Sequence, residues 1–184
     1  MLYASEEGAS RSRSPYQIVM AGPLMMNSTE TRFQLVTFQL GNELYGIDIM
    51  DVREIVQLTE VRAIPNAPPY VEGIINLRGE IVLIVNLHRR FNIDRPDLDE
   101  EDILLSGFLI IELGDRKLGV RIDRVSRVVT VDADDIREPP KMLTGIGREY
   151  IRGVTNEEDR YLIILDIHRL FAPAELQQLS KITS

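Results

Sequence analysis

The sequence predicts a mainly all-β fold: two pseudo-equivalent five-stranded β-barrels packed together, with a short C-terminal helix. Three observations lead there. The 22 residues from Tyr70 to Phe91 recur without a gap, 80 residues later, as Tyr150 to Phe171, with seven positions identical, where average composition gives about one or two by chance. The identities are Tyr70/Tyr150, Gly73/Gly153, Asn76/Asn156, Ile84/Ile164, His88/His168, Arg89/Arg169 and Phe91/Phe171, so the chain reads as two copies of one unit. Short runs of alternating apolar and polar residues are punctuated by glycine turns, which is the period of strands. Apolar residues make up 44% of the chain but aromatics only 6%, with no Trp, so the core must be built from Val, Ile and Leu, which suit a pleated surface.

Residues 1–31 are rich in Ser, Gly and Arg and show neither a strand nor a helix period, which predicts a flexible N-terminal arm. Residues 32–184 form the folded body. Phe33 to Leu40 alternates, Gly41-Asn42 turns, and Leu44 to Ile49 returns: a hairpin. Val52 to Leu58 and Val61 to Ile64 are short apolar steps stopped by Pro65, Pro68 and Pro69, which deny a ladder its donors and mark a connection. Gly73 to Asn76, the turn at Leu77-Arg78-Gly79 and Ile81 to Leu87 make a further hairpin, completing barrel one at about 32–93. An acidic linker follows at about 94–102, with six acids against Arg95 and with Pro96. Barrel two, about 103–172, restarts the pattern with Phe108 to Leu113, Gly114-Asp115 and Leu118 to Ile122. Gly46 aligns with Gly119 at an offset of 73, whereas the later block is offset by 80, so the second copy has gained seven residues. The connection from Pro139-Pro140 to Arg148 is the expected place for them. Leu176, Leu179 and Ile182 sit at helical spacing and predict a closing helix at about 174–182. An open five-stranded sheet would leave bare edges, and closing each copy into a barrel removes them.

Composition narrows function. A net charge of -8 disfavours nonspecific binding to nucleic acid or anionic lipid, both of which need a cationic face. The absence of Cys excludes a disulfide framework, a thiolate metal site and a Cys nucleophile. No apolar run approaches the length of a membrane span, and the expected location is the cytoplasm. The two histidines, His88 and His168, stand at matching strand ends and are expected to hold their polar tips in water. Gly145-Ile-Gly147 does not follow a strand and open a helix, as a phosphate cradle requires. Asp134-Asp135 and Glu157-Glu158 read as solvated turn acids. No nucleophile, base and oxyanion donor come together, so neither catalysis nor a cofactor nor a metal is expected.

The two copies differ most informatively in charge. Asp48, Asp51 and Glu54 of the first copy become Arg121, Arg124 and Arg127 in the second, while Arg78 becomes Glu158. If Glu54 and Arg78 pair in the first copy, Arg127 and Glu158 should pair in the second with the charges exchanged. Faces of opposite sign on the two units would favour head-to-tail contacts. The apolar pairs Ile55-Val56 and Val128-Val129 place one residue of each outward, along the seam between the units or a groove for an apolar helix.

Tyr45-Gly-Ile-Asp-Ile49, the Val-x-Glu-Ile of Val52 to Ile55, Gly73-Ile-Ile-Asn-Leu-Arg-Gly79 with Ile81 to Leu87, and Gly119-Val-x-Ile-Asp-x-Val-Ser126 resemble the CheW-like family of bacterial chemotaxis coupling proteins. The resemblance runs from Phe33 to about Leu179. It implies a non-catalytic adaptor that joins methyl-accepting chemoreceptors, through their cytoplasmic tips, to the regulatory domain of the histidine kinase CheA, with other CheW-like domains as ring neighbours. It implies partner-binding roles for Val52, Glu54, Ile55, Gly73, Asn76, Arg78, Gly79, Val125 and Val128, and an ion pair between Glu54 and Arg78. A small-ligand-binding β-barrel is the alternative. An oligonucleotide-binding barrel ranks last, because the six Tyr and five Phe are not interleaved with basic residues.

Overall fold

The computed structural model describes residues 31–141, 143 and 147–183; the expected N-terminal arm, up to residue 30, lies outside them. Ten strands follow in order: β1 (Arg32–Leu40), β2 (Glu43–Asp48), β3 (Val52–Gln57), β4 (Val71–Leu77), β5 (Glu80–Asn86), β6 (Gly107–Leu113), β7 (Arg116–Ile122), β8 (Arg124–Asp132), β9 (Ile151–Glu157) and β10 (Arg160–Leu165). Among the described residues three α-helices accompany them: α1 (Leu87–Phe91), α2 (Glu100–Leu105) and α3 (Pro173–Thr183). The closing helix is thus present, with Pro173 at its first position, where a missing N–H costs nothing.

Local chemistry explains the turns. Leu77 pairs with Glu80, leaving Arg78-Gly79 as a two-residue loop with both residues left-handed, φ 53° and 88°, the twist that suits a tight hairpin. The end of the acidic linker is helical instead of wholly extended. Asp99 caps α2 by accepting from Asp102 N at 2.7 Å, and Glu100, Glu101 and Asp102 occupy the first turn, where the helix dipole favours acids.

The strands form two five-stranded sheets, in the order β8-β1-β2-β10-β9 and β3-β6-β7-β5-β4. This corrects the expected pair of barrels in two ways. Each sheet draws strands from both copies, because the parallel pairs β2 with β10 and β5 with β7 join first-copy to second-copy strands. The exchange is symmetric: Gly46 lies opposite Ile164 in one sheet, and Gly119 opposite Ile84 in the other. Neither sheet closes. β3 and β4 share no ladder; Arg62, in the connection after β3, exchanges two backbone hydrogen bonds with Ile74 of β4, at 2.8 and 2.9 Å. Arg137 does the same with Val154 of β9, at 2.8 Å each way. One bridge covers part of the β4 edge and the other part of the β9 edge, which eases the edge problem without a continuous barrel.

These bridges also locate the extra residues of the second copy. Arg62 and Ile74 are 12 positions apart, Arg137 and Val154 are 17, so five of the seven fall between the bridge partners. The other two precede Arg137, around a 3-10 turn at Ala133–Asp135.

Both faces of each sheet are apolar, as the buried runs Phe108 to Ile111 and Leu162 to Leu165 require. One face of each meets the other sheet in a shared core that includes Val36, Phe38, Tyr45, Leu83, Val120, Ile163 and Phe171. The opposite faces hold smaller clusters, Leu35, Val129, Leu162 and Ile164 in one sheet and Ile75, Ile84, Phe108 and Ile110 in the other. Side chains fill these interiors, where a small-ligand barrel would need space.

Candidate protein-interaction site

The first seam, between β3 and β4, is held at its solvent end by an ion pair. Arg78 reaches from the β4–β5 turn to Glu54 on β3 and donates from both guanidinium nitrogens, at 3.0 and 2.8 Å. Arg78 is 75% exposed, so the pair contributes only about 0–1 kcal/mol to stability; its fork geometry positions two charged groups at a surface. Asn76 steadies the turn by accepting from Gly79 N at 2.8 Å. Gly73 has φ +151°, and a Cβ there would run into Arg62 O, so a glycine lets the bridging connection approach.

The second seam repeats the first with charges exchanged. Arg127 of β8 donates to Glu157 at 2.5 Å and Glu158 at 2.6 Å, and those hydrogen bonds, Glu158 first, hold its guanidinium above the usual arginine range. Gly153 sits beside Arg137 O as Gly73 sits beside Arg62 O. Each seam opens on a shallow cleft. The first, about 470 Å³, is lined by Glu60, Arg62, Ile74 and Ile81; the second, about 570 Å³, by Asp135, Arg137, Val154 and Tyr161. Ile81 and Tyr161, equivalent in the repeat, are both exposed.

The inverted charges do not make oppositely charged faces. Two of the three inverted positions after Gly46 meet an inverted partner: Glu54 with Arg78 against Arg127 with Glu158, and Asp48 with Arg152 against Arg121 with Glu72; at the third, Asp51 lies by His168 and Arg124 by Asp102. The signs cancel locally, and the expectation of opposite faces is corrected accordingly.

The remaining expected residues fall in different places. Val52 is buried at 3% exposure and belongs to the shared core. Ile55 is half-buried against that core. Val125 and Val128 lie on β8, in the other sheet from Glu54 and Arg78. Val125 packs on the shared core, while Val128 is 40% exposed and Val129, its neighbour, is buried.

Two features escaped the sequence. His88 does not reach water: it is buried, with Nε2 at 2.8 Å from Asp123 Oδ2, which also accepts from Gly41 N at 2.8 Å. His168 is exposed as expected and lies 3.0 Å from Asp51. Arg90 is the larger surprise. Its guanidinium lies 4.5 Å from the Tyr70 ring, 5.4 Å from Tyr150 and 5.7 Å from Phe171, and donates to Glu175 at 2.8 and 3.0 Å and to Leu170 O at 2.9 Å. Burial lowers its proton affinity, but the Glu175 hydrogen bond and charge outweigh that and hold it above the usual arginine range. Glu175 is held below the usual carboxylate range, chiefly by the bond from Arg90, against its own burial. The signal was present: position 90 is Arg where its repeat equivalent, Leu170, is apolar and fully buried.

Among the described residues no group of three or more His, Asp or Glu side chains is placed to hold a metal ion, and no helix is long and apolar enough to cross a membrane.

Comparison with known proteins places this geometry. The family model described as CheW-like domain matches residues 34–175. The chain is 54% identical over 160 residues to the chemotaxis protein CheW of Treponema pallidum, covering 87% of this chain and 93% of that one. It is 35% identical over 143 residues to the CheW of Klebsiella aerogenes, covering 78% and 84%. Among solved structures, the scaffolding protein TtCheW of Thermoanaerobacter tengcongensis superposes with a TM-score of 0.71 at 33% identity, covering 82% of this chain and 94% of that one.

Proposed function

We propose that the chain, which belongs to the CheW-like family, is a non-catalytic adaptor that couples methyl-accepting chemoreceptors to the histidine kinase CheA in the cytoplasm. An adaptor must hold two partners in fixed relation, and the doubled seam is the observation that carries this reading. One rigid body presents two equivalent seams with different side chains: Glu54, Arg78 and Ile81 at one, Arg127, Glu158 and Tyr161 at the other. Unlike ends on one body suit head-to-tail neighbours, here the regulatory domain of CheA and other CheW-like domains in a ring.

In this reading Glu54, Asn76, Arg78 and Gly79 form the kinase-facing surface. Gly73 and Val52 hold that surface in shape. The apolar residues Ile55, Val125 and Val128 receive the receptor's cytoplasmic tip, a helical hairpin whose apolar positions would fit a shallow apolar strip. Recruitment to receptor arrays at the membrane follows from these contacts, without insertion.

The test is capture of purified CheA regulatory domain and of a receptor tip by the full chain. Glu54→Lys and Arg78→Glu should each lose kinase binding at least tenfold, and Val128→Asp should lose the receptor while keeping the kinase. Undiminished binding of both partners by all three variants would remove this site assignment.

A further inference from the structure

The two halves of the chain assemble by exchanging strands, yet the residues that shape their junction are the same in both. Gly46 lies opposite Ile164 and Gly119 opposite Ile84. Tyr70 of the first half lies tilted against Phe171 of the second, and Phe91 against Tyr150, with the ring centroids of each pair 6.2 Å apart. A first half would therefore find most of this shape in another first half. Shape alone does not tell the halves apart.

Charge does. Asp48 of β2 meets Arg152 of β9 at 3.7 Å in one sheet, and Glu72 of β4 meets Arg121 of β7 in the other. Asp48 and Arg121 are equivalent at the 73-residue offset, Glu72 and Arg152 at the 80-residue offset. These are one contact made twice with its polarity reversed. The first half supplies both acids, the second half both bases.

We propose that this polarity is a recognition code that commits a first half to a second half. Were two first halves to exchange strands, Asp48 of each would face Glu72 of the other; two second halves would bring Arg121 against Arg152. Like charges set opposite each other penalise the wrong partner, and specificity is a difference between right and wrong pairings. The Arg121–Glu72 pair is the better placed to discriminate, because both side chains are largely buried and screening there is weak. The code matters most during synthesis, when first halves on neighbouring ribosomes emerge before any second half exists to pair with them. It holds whichever partners the finished molecule couples.

The test uses four full-length proteins: the unaltered chain, the all-basic variant D48R/E72R, the all-acidic variant R121E/R152E, and the quadruple variant that exchanges all four charges. Each double variant should lose roughly 4–8 °C in Tm. The quadruple should regain at least half of that, the remainder reflecting the loss of the Asp48 cap on Met50 N, a 3.0 Å bond. When the two double variants are co-expressed with different mass tags, native mass spectrometry should find a 1:1 heterodimer, because the basic first half of one matches the acidic second half of the other. Double variants within 1 °C of the unaltered chain, a quadruple that regains nothing, or double variants that never combine would each overturn the code.

Discussion

Gly73→Ala should unfasten the first seam. Gly73 has φ +151°, in a region where residues with a side chain are strained, and an added Cβ would lie 2.7 Å from Arg62 C and 2.8 Å from Val61 Cγ1 while running into Arg62 O. Backbone cannot swing aside as a long side chain can, so Arg62 must withdraw from Ile74 and surrender both bridge hydrogen bonds, at 2.8 and 2.9 Å. Two hydrogen bonds contribute about 1–3 kcal/mol, and the backbone strain adds about 1–3 kcal/mol. A total near 4 kcal/mol corresponds to a fall in Tm of roughly 8–16 °C for a protein of this size. Gly153→Ala is the matched control. Its added Cβ would run into Ile136 Cγ2 and meet Arg137 O at 2.9 Å, but Gly153 is not among the positive-φ residues, so the backbone strain is absent and its loss should be smaller. Thermal denaturation followed by far-UV circular dichroism measures both, and amide exchange at Ile74 should quicken only in the Gly73 variant. A Gly73→Ala protein as stable as the unaltered chain, or more stable than Gly153→Ala, would refute the role assigned to the bridge.

Three further expectations concern groups the sequence left unassigned. Asp123→Ala strips the buried His88 of its partner and Gly41 N of its acceptor; two polar groups left without that partner should cost about 2–6 kcal/mol in urea unfolding, and a loss below 1 kcal/mol would show that the pair is dispensable. Arg90→Met keeps the stem but removes the charge that clasps α3, so limited proteolysis should release residues after Phe171 first, an outcome the unaltered chain should not show. The Glu175 carboxyl titrates lower folded than unfolded, so its contribution is complete above the ordinary glutamate value of about 4.3 and disappears as pH falls through the lower folded value. The stability gap between the unaltered chain and Glu175→Gln should therefore be widest near neutrality and close on acidification below about pH 4. A gap independent of pH would exclude the ion pair as its source.

Much of the interaction site was legible without coordinates because it is local or internal to one copy. Arg78-Gly79 announces its turn by composition, the pairing of Glu54 with Arg78 is what the family resemblance implies, and matching the copies position by position carries it over to Arg127 with Glu158. His88, Arg90 and the helices α1 and α2 were not legible. His88 is buried by Asp123, 35 positions away, and Arg90 by rings from both copies, so no window of sequence contains their surroundings.

The same distinction divides the fold. From the sequence alone come the duplication, the strand positions, the glycine turns and the closing helix, since each depends on periodicity and backbone preference within a few residues. Only the tertiary structure decides that the copies exchange strands and that the sheets stop short of closing. An alternating strand specifies which of its faces is apolar but not which strand lies beside it, and with two copies of one apolar pattern the faces match either way. The exchange is visible only in contacts distant in sequence: Gly46 against Ile164, Gly119 against Ile84, and the reversed pairs Asp48–Arg152 and Arg121–Glu72.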